Sequence, residues 1–351
     1  MTHSTSNSRA AIPLAGLCLI LGGLGVEAQS PSPIVGALID PVALRGVEDV
    51  HLDGDYAYLP CREGKRLTVC SIQDPANPKV VSSFTHTELG HAAGFAISGD
   101  IVYLTSQSNH KLLIVDVSNK SNLRLLSAVR IGPPGKGILY KVAHQAGYCY
   151  VAHLTEKKLF VVDVRDPRQP AVISSIKVTQ ENDGPFNVLL HGRHALVGTI
   201  FGRQNRLAVV DINAPTKPLL VDQVLGPEIG HASGEIVGDL FFAVNWDKNA
   251  FLVFDVANIA KPKLAAKLID KRLGKPNRCV VSGDRAYLPM VEGDGVAVVD
   301  IANPLKPRFL KSFRDPMLNK TYGVAVRDGL LYVGAREGNS LVIFDRHALE
   351  E

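Results

Sequence analysis

The sequence predicts an all-β protein: a seven-bladed β-propeller of four-stranded antiparallel blades, closed by an N-terminal strand that completes the C-terminal blade. Three observations predict it. One strand-and-turn unit recurs at near-constant spacing, and each unit breaks into four short strand-like pieces. The chain also ends one strand short of a full unit, while a matching strand stands near its beginning.

The recurring unit is LLIVDVSN at 112–119, with relatives LFVVDVRDP (159–167), LAVVDINAP (207–215), FLVFDVANI (251–259), VAVVDIANP (296–304) and LVIFDRHAL (341–349). Its aspartates, Asp116, Asp163, Asp211, Asp255, Asp300 and Asp345, are 47, 48, 44, 45 and 45 residues apart. A degenerate earlier copy, LTVCSIQDPANP, puts Cys70 where the aspartate is expected, which makes seven units. A period in this range belongs to propellers and solenoids. Within the second unit GFAISG, IVYLTSQ, KLLIVDV and LRLLSAVRI are β-branched runs separated by Gly-Asp, Asn, Lys and Pro. Such runs are hairpin-connected strands with no room for a crossover helix, which excludes a parallel α/β fold. The aspartate ends the third strand, where a carboxylate accepts backbone N–H bonds from the turn and a later Pro fixes φ for the fourth strand. Needed equally in every blade, these aspartates are architectural.

Closure follows from the two ends. SLVIFDRHALEE is a third strand and its turn with no fourth strand after it, and SPSPIVGALIDP (30–41) resembles the outer strands PKVVSSF and PRFLKSF. Pairing the two joins the ends and removes an open sheet edge, which a linear solenoid would not achieve.

Residues 1–28 are of different material. One Arg precedes the apolar run IPLAGLCLILGGLGV, and VEA offers small residues before Gln29, the pattern of a secretory signal cleaved after Ala28. The run is too short for a comfortable membrane span. The expectation is a secreted or periplasmic protein with no stable span after cleavage, its residues 29–351 forming a single propeller domain. Four cysteines remain, Cys61, Cys70, Cys149 and Cys279, too few for a disulfide scaffold. Cys61 and Cys70 stand either as a cross-strand pair or as free thiols. The net charge of +4 is spread through turns such as TEKK and KRLGK, without the aromatic-lined basic stripe that nucleic acid requires.

The LxVxD runs and their spacing resemble the LVIVD-repeat family over residues 33–346. The resemblance implies a propeller and, from the family's usual setting, an exported bacterial protein. It implies little about activity, because propellers host binding modules, hydrolases, lyases and oxidoreductases alike.

Where repeats must match, residues hold the ring; where they differ, residues are free for chemistry. The segments leading into the innermost strands gather at one channel mouth and are polar and individual: RGVEDVHL, LGHAAGFAI, ILYKVAHQ, DGPFNVLLH, EIGHASGEIVG, GKPNRCVVSG and KTYGVAVRDG. Two carry GHAxG, three blades apart, placing His91 and His231 to face each other across the mouth. Imidazole suits proton transfer near neutrality, so His91 or His231 is the candidate base and Tyr322 or Glu48 the candidate acid. Arg278 and Lys141 are candidates to hold a carboxylate or phosphate, with Asp49, Asn187 and Asn277 as further ligand-binding residues. The hairpins between second and third strands fall on the same side at larger radius, bringing Trp246 as a stacking platform and Arg336. The competing reading of GHA is structural, the imidazole bonding a neighbouring blade and the glycines allowing a tight turn.

No CxxCH, dinucleotide-binding glycine fingerprint or HExxH is present, so no cofactor is expected; a divalent cation held in the channel by His91, His231 and nearby carboxylates is the alternative. Two functions follow. The first is an exported binding or scaffold protein for a glycan, peptide or envelope protein. The second is a polysaccharide-active lyase or glycoside hydrolase with His, Tyr or Glu as acid and base.

Overall fold

The computed structural model describes residues 32–135 and 137–350; residues 1–28, the expected signal segment, lie outside the described residues. Seven four-stranded antiparallel sheets follow one another as blades 1–7, covering residues 51–84, 92–130, 139–177, 184–226, 233–269, 280–314 and 321–345. The strand Ile34–Ile39 pairs antiparallel with Ser340–Asp345 and supplies the fourth strand of blade 7.

Continuous apolar runs in the second and third strands bury both faces of every blade against its neighbours. The outcome is seven separate cores, each shared by two adjacent blades. One joins Tyr58, Leu67 and Val69 of blade 1 to Phe95, Leu104 and Leu113 of blade 2. The last joins Tyr332, Leu341 and Ile343 of blade 7 to Ala57, Leu59, Cys61 and Cys70 of blade 1. The ring is therefore closed by packing as well as by the N-terminal strand. Cys61, Cys70, Cys149 and Cys279 are all free and buried, and burial pushes the Cys61 thiol up to about 12.

All six repeat aspartates accept the backbone N–H two residues on, from 2.8 Å (Asn213 to Asp211, His347 to Asp345) to 3.1 Å (Arg165 to Asp163). These Asx turns stop the third strand and, in blades 2–6, lead the chain into the fourth. Blade 1 corrects one position. Ser71, paired with Lys79, occupies the aspartate's place in the ladder, where Asp116 pairs with Arg124. Cys70 is one residue earlier and faces the core; blade 1 keeps the later turn bond, Ala76 N to Asp74 at 3.1 Å, the counterpart of Ser121 N to Asn119 in blade 2.

Candidate functional site

At one channel mouth the lead-ins to the innermost strands and the hairpins between second and third strands meet around a cavity of about 310 Å3. Its wall is aromatic. Tyr140, Phe186, His231, Trp246 and Tyr322 form a contiguous arc through four blades, with neighbouring ring centroids 4.7, 4.4, 5.6 and 5.6 Å apart. Phe186 and His231 lie parallel at 4°, whereas Trp246 stands at 84° to His231 and 65° to Tyr322. The arc thus curves around the cavity instead of forming one flat platform.

Backbone irregularities aim these rings. The ladder between first and second strands skips Tyr140 and Lys141 in blade 3, Phe186 in blade 4 and Tyr322 in blade 7. A β-bulge re-aims a side chain beside a site, and here three bulges turn rings toward the mouth. His231 is turned by a different device: it and Ala232 hold φ of 62° and 45°, a left-handed pair of non-glycine residues. Its backbone passes so close to blade 4 that a Cβ on Gly198 would lie 2.0 Å from the His231 carbonyl oxygen. Gly198→Ala is expected to cost about 1–3 kcal/mol by overpacking and to move His231, read as a lower melting temperature with altered Trp246 emission.

The polar side of the cavity belongs to blades 1 and 7. Glu48 is buried, its N–H held by the Pro60 carbonyl at 2.8 Å. Its Oε2 has no hydrogen-bond partner and lies 3.7 Å from Arg336 Nη1. Burial raises the Glu48 pKa, opposed only in part by the charges of Arg336, Lys141 and Arg62. Arg336 is pinned from behind by three hydrogen bonds to Glu63 and lies over the Tyr322 ring at 4.9 Å. Arg62 donates to Gln107 Oε1 at 2.7 and 3.2 Å and also faces the cavity. Burial pushes His231 down to about 3, so the ring is neutral, and its Nδ1 is buried without a partner. Two residues of the cavity wall, Glu48 and His231, thus carry a buried polar atom with no hydrogen-bond partner. At the lip Phe201 is 68% exposed and holds φ of 68°.

Beneath the mouth the channel is bridged. Asp49 takes Arg278 at 2.5 Å and Lys141 at 2.8 Å, tying blades 1, 6 and 3 together. Burial alone would raise the Asp49 carboxyl, but the two cations hold it well below the usual range. Asn187 and Asn277 donate to the carbonyls of Ala232 and Tyr322 in the next blades at 3.0 and 3.2 Å.

Of the residues nominated from sequence, Glu48, His231, Tyr322, Trp246, Arg336 and Asn277 come together around the cavity. Lys141 and Arg278 both pair with Asp49 and do not line the cavity, and the Asn187 amide is spent between blades. His91 is apart: it is half-exposed, does not line the cavity and lacks the left-handed backbone of His231. The two GHA copies are therefore not equivalent. Among the described residues no group of three or more His, Cys, Asp or Glu side chains is placed to hold a metal ion, and Asp49 already has cationic partners.

Sequence reasoning missed Tyr140, Phe186, Arg62, Ile200 and Phe201, which also line the cavity. Tyr140 and Phe186 directly precede the nominated Lys141 and Asn187. The candidates were the polar side chains of the lead-in segments, so the rings beside them carried no signal, and a bulge is what turns those rings to the cavity.

Among solved structures the fold is similar to virginiamycin B lyase from Staphylococcus aureus, at 10% identity and a TM-score of 0.65 over 88% of this chain and 98% of that one. It is also similar to a periplasmic gluconolactonase of Pseudomonas aeruginosa, at 15% identity and a TM-score of 0.63 over 76% and 85%. Raptor from Chaetomium thermophilum matches at 12% identity and a TM-score of 0.68, over 89% of this chain but 28% of its own. At such identities the likeness is one of fold. No curated protein sequence matches significantly. A profile of the LVIVD repeat matches residues 45–86, 89–130, 137–178, 188–225 and 274–315. His231, Trp246, Asp247, Tyr322 and Arg336 all fall outside those stretches, in the two blades that have drifted furthest from the repeat. With more than half of its length matched by that repeat, the chain belongs to the LVIVD-repeat family.

Proposed function

We propose that the protein is an exported hydrolase or lyase acting on a sugar-derived ring at the channel mouth, with Glu48 as its proton-transferring group. The observation that carries this reading is the buried, unpartnered Glu48 Oε2 facing Arg336 Nη1 across 3.7 Å inside an aromatic-walled cavity. Both residues line the cavity, so a water or substrate hydroxyl bound there against the Glu48–Arg336 pair has a carboxyl and a guanidinium beside it. Glu48 removes its proton while the guanidinium stabilises the oxyanion that develops. A carboxyl with a raised pKa is suited to both halves of the cycle: it accepts the proton from the attacking oxygen and returns it to the leaving oxygen.

For ring opening the steps balance. The water oxygen bonds to the carbonyl carbon, the ring C–O bond breaks, and the departing oxygen takes the proton back from Glu48. The aromatic arc offers C–H faces of a sugar ring their partners, and Arg62 adds a second donor. The cavity stands at the small end of ligand sites, roughly 300–1,000 Å3. It suits one ring or a chain end better than the interior of a polysaccharide. Fold neighbours described as a gluconolactonase and a lyase support this class of chemistry, and the signal-like residues 1–28 support export.

The test is a product screen by mass spectrometry on residues 29–351, with sugar lactones and neutral and uronate-containing oligosaccharides. A gain of one water marks hydrolysis, and an unsaturated fragment of unchanged total mass marks elimination. Saturable binding with no product in any sample would favour the binding-protein reading instead.

A further inference from the structure

A second cavity, of about 460 Å3, opens beside the first at the seam of blades 7 and 1, and Tyr322 and Arg336 line both. Three cations face it, Arg45, Lys320 and Arg336, against two carboxylates, Glu63 and Glu337. Glu63 is claimed by Arg336, and Glu337 by Lys320. Arg45 is exposed and makes no ion pair with any described residue.

The chamber is built, not merely open surface. Gly46, at φ 80°, donates to Asn339 Oδ1 at 3.3 Å, and a Cβ there would strike the Glu63 carboxylate. Lys320 sits at φ 51° with its N–H on Asp294 Oδ1 at 3.1 Å. Turn geometry thus fixes the backbone of Lys320, which lines the chamber together with Arg45. The inner cavity, by contrast, has rings and an unpartnered carboxyl, and its arginines are engaged by Glu63 and Gln107. It favours an uncharged ring.

We infer that the two chambers form one bipartite substrate site: an uncharged ring binds in the aromatic chamber, and an anionic arm, a carboxylate or phosphate, reaches over Arg336 to Arg45 and Lys320. This rests on the reading of the Glu48 cavity as the substrate site, and it gives the anion-holding role to different cations from Lys141 and Arg278. Arg336 is the hinge of the arrangement, because its guanidinium faces Glu48 on one side and the outer chamber on the other.

Trp246 is the only tryptophan in the chain and forms part of the inner wall, so its fluorescence reports ring occupancy directly. The experiment titrates residues 29–351 with two matched pairs, galactose against galacturonate and glucose against glucose 6-phosphate. The expected result is that at least one anionic probe binds ten-fold or more tightly than its neutral counterpart. That preference should shrink as salt is raised and vanish in Arg45→Ala/Lys320→Asn, with the neutral sugar's affinity unchanged. The wild-type salt dependence stands even if the double variant folds poorly. Equal affinities within both pairs would overturn the bipartite site while leaving the ring site intact. No response to any of the four would overturn the sugar-ring reading itself.

Discussion

Replacing Asp49 with alanine is expected to lower stability by about 3–5 kcal/mol, the usual consequence of removing one partner from a buried charge cluster. Arg278 and Lys141 would keep their positive charges beneath the mouth with no anion between them. The effect has a defined pH window. Asp49 is held well below the ordinary carboxylate value of 3.8, so its contribution is complete above that value and is lost as pH falls through the lower folded value. Denaturant melts should therefore show the full difference between wild type and Asp49→Ala at neutral pH, narrowing only in strong acid. A difference below about 1 kcal/mol at neutral pH, the range of exposed ion pairs, would mean that the network does not bridge the ring.

Removing residues 33–40 is expected to reduce the melting temperature by on the order of 5 °C or more, from at least a few kcal/mol of lost pairing and burial. Ile34 packs into the core between blades 6 and 7, and Leu38 into the core between blades 7 and 1. Gly36 runs against the blade 1 turn, where a Cβ would lie 2.2 Å from the Pro75 carbonyl oxygen. Deletion would also leave Ser340–Asp345 as an open edge. An unchanged, equally sharp transition in the truncated protein would contradict closure by this strand.

The ring was legible because its information is local and repeated. Periodic LxVxD runs, turn chemistry and the unmatched ends each point to the same architecture, and the repeat aspartates perform the turn role their spacing implied. The side of the ring that bears the cavity was also legible, from the segments where blades cease to agree. Two features were hidden. The rings of Tyr140 and Phe186 stand at bulges beside Lys141 and Asn187, and an apolar ring in a lead-in segment has no polar signature to mark it. Charges 92 and 229 residues apart in sequence paired across the channel at Asp49, so cations that looked free for a ligand are spent on the scaffold. Glu48 escaped that fate although it adjoins Asp49, because the nearest cation, Arg336, is held by Glu63.

That contrast makes Glu48→Gln the most direct test, with stability and turnover measured on one variant. A carboxyl whose folded pKa is raised favours folding when protonated, and this contribution is lost as pH rises through the folded value. The neutral glutamine should therefore melt higher than wild type at neutral pH, with the advantage shrinking toward pH 4, while turnover of any substrate found in the product screen falls about 100-fold or more. A variant that melts lower at neutral pH and turns over normally would contradict the account, making Glu48 a structural partner of Arg336 and not the group that moves the proton.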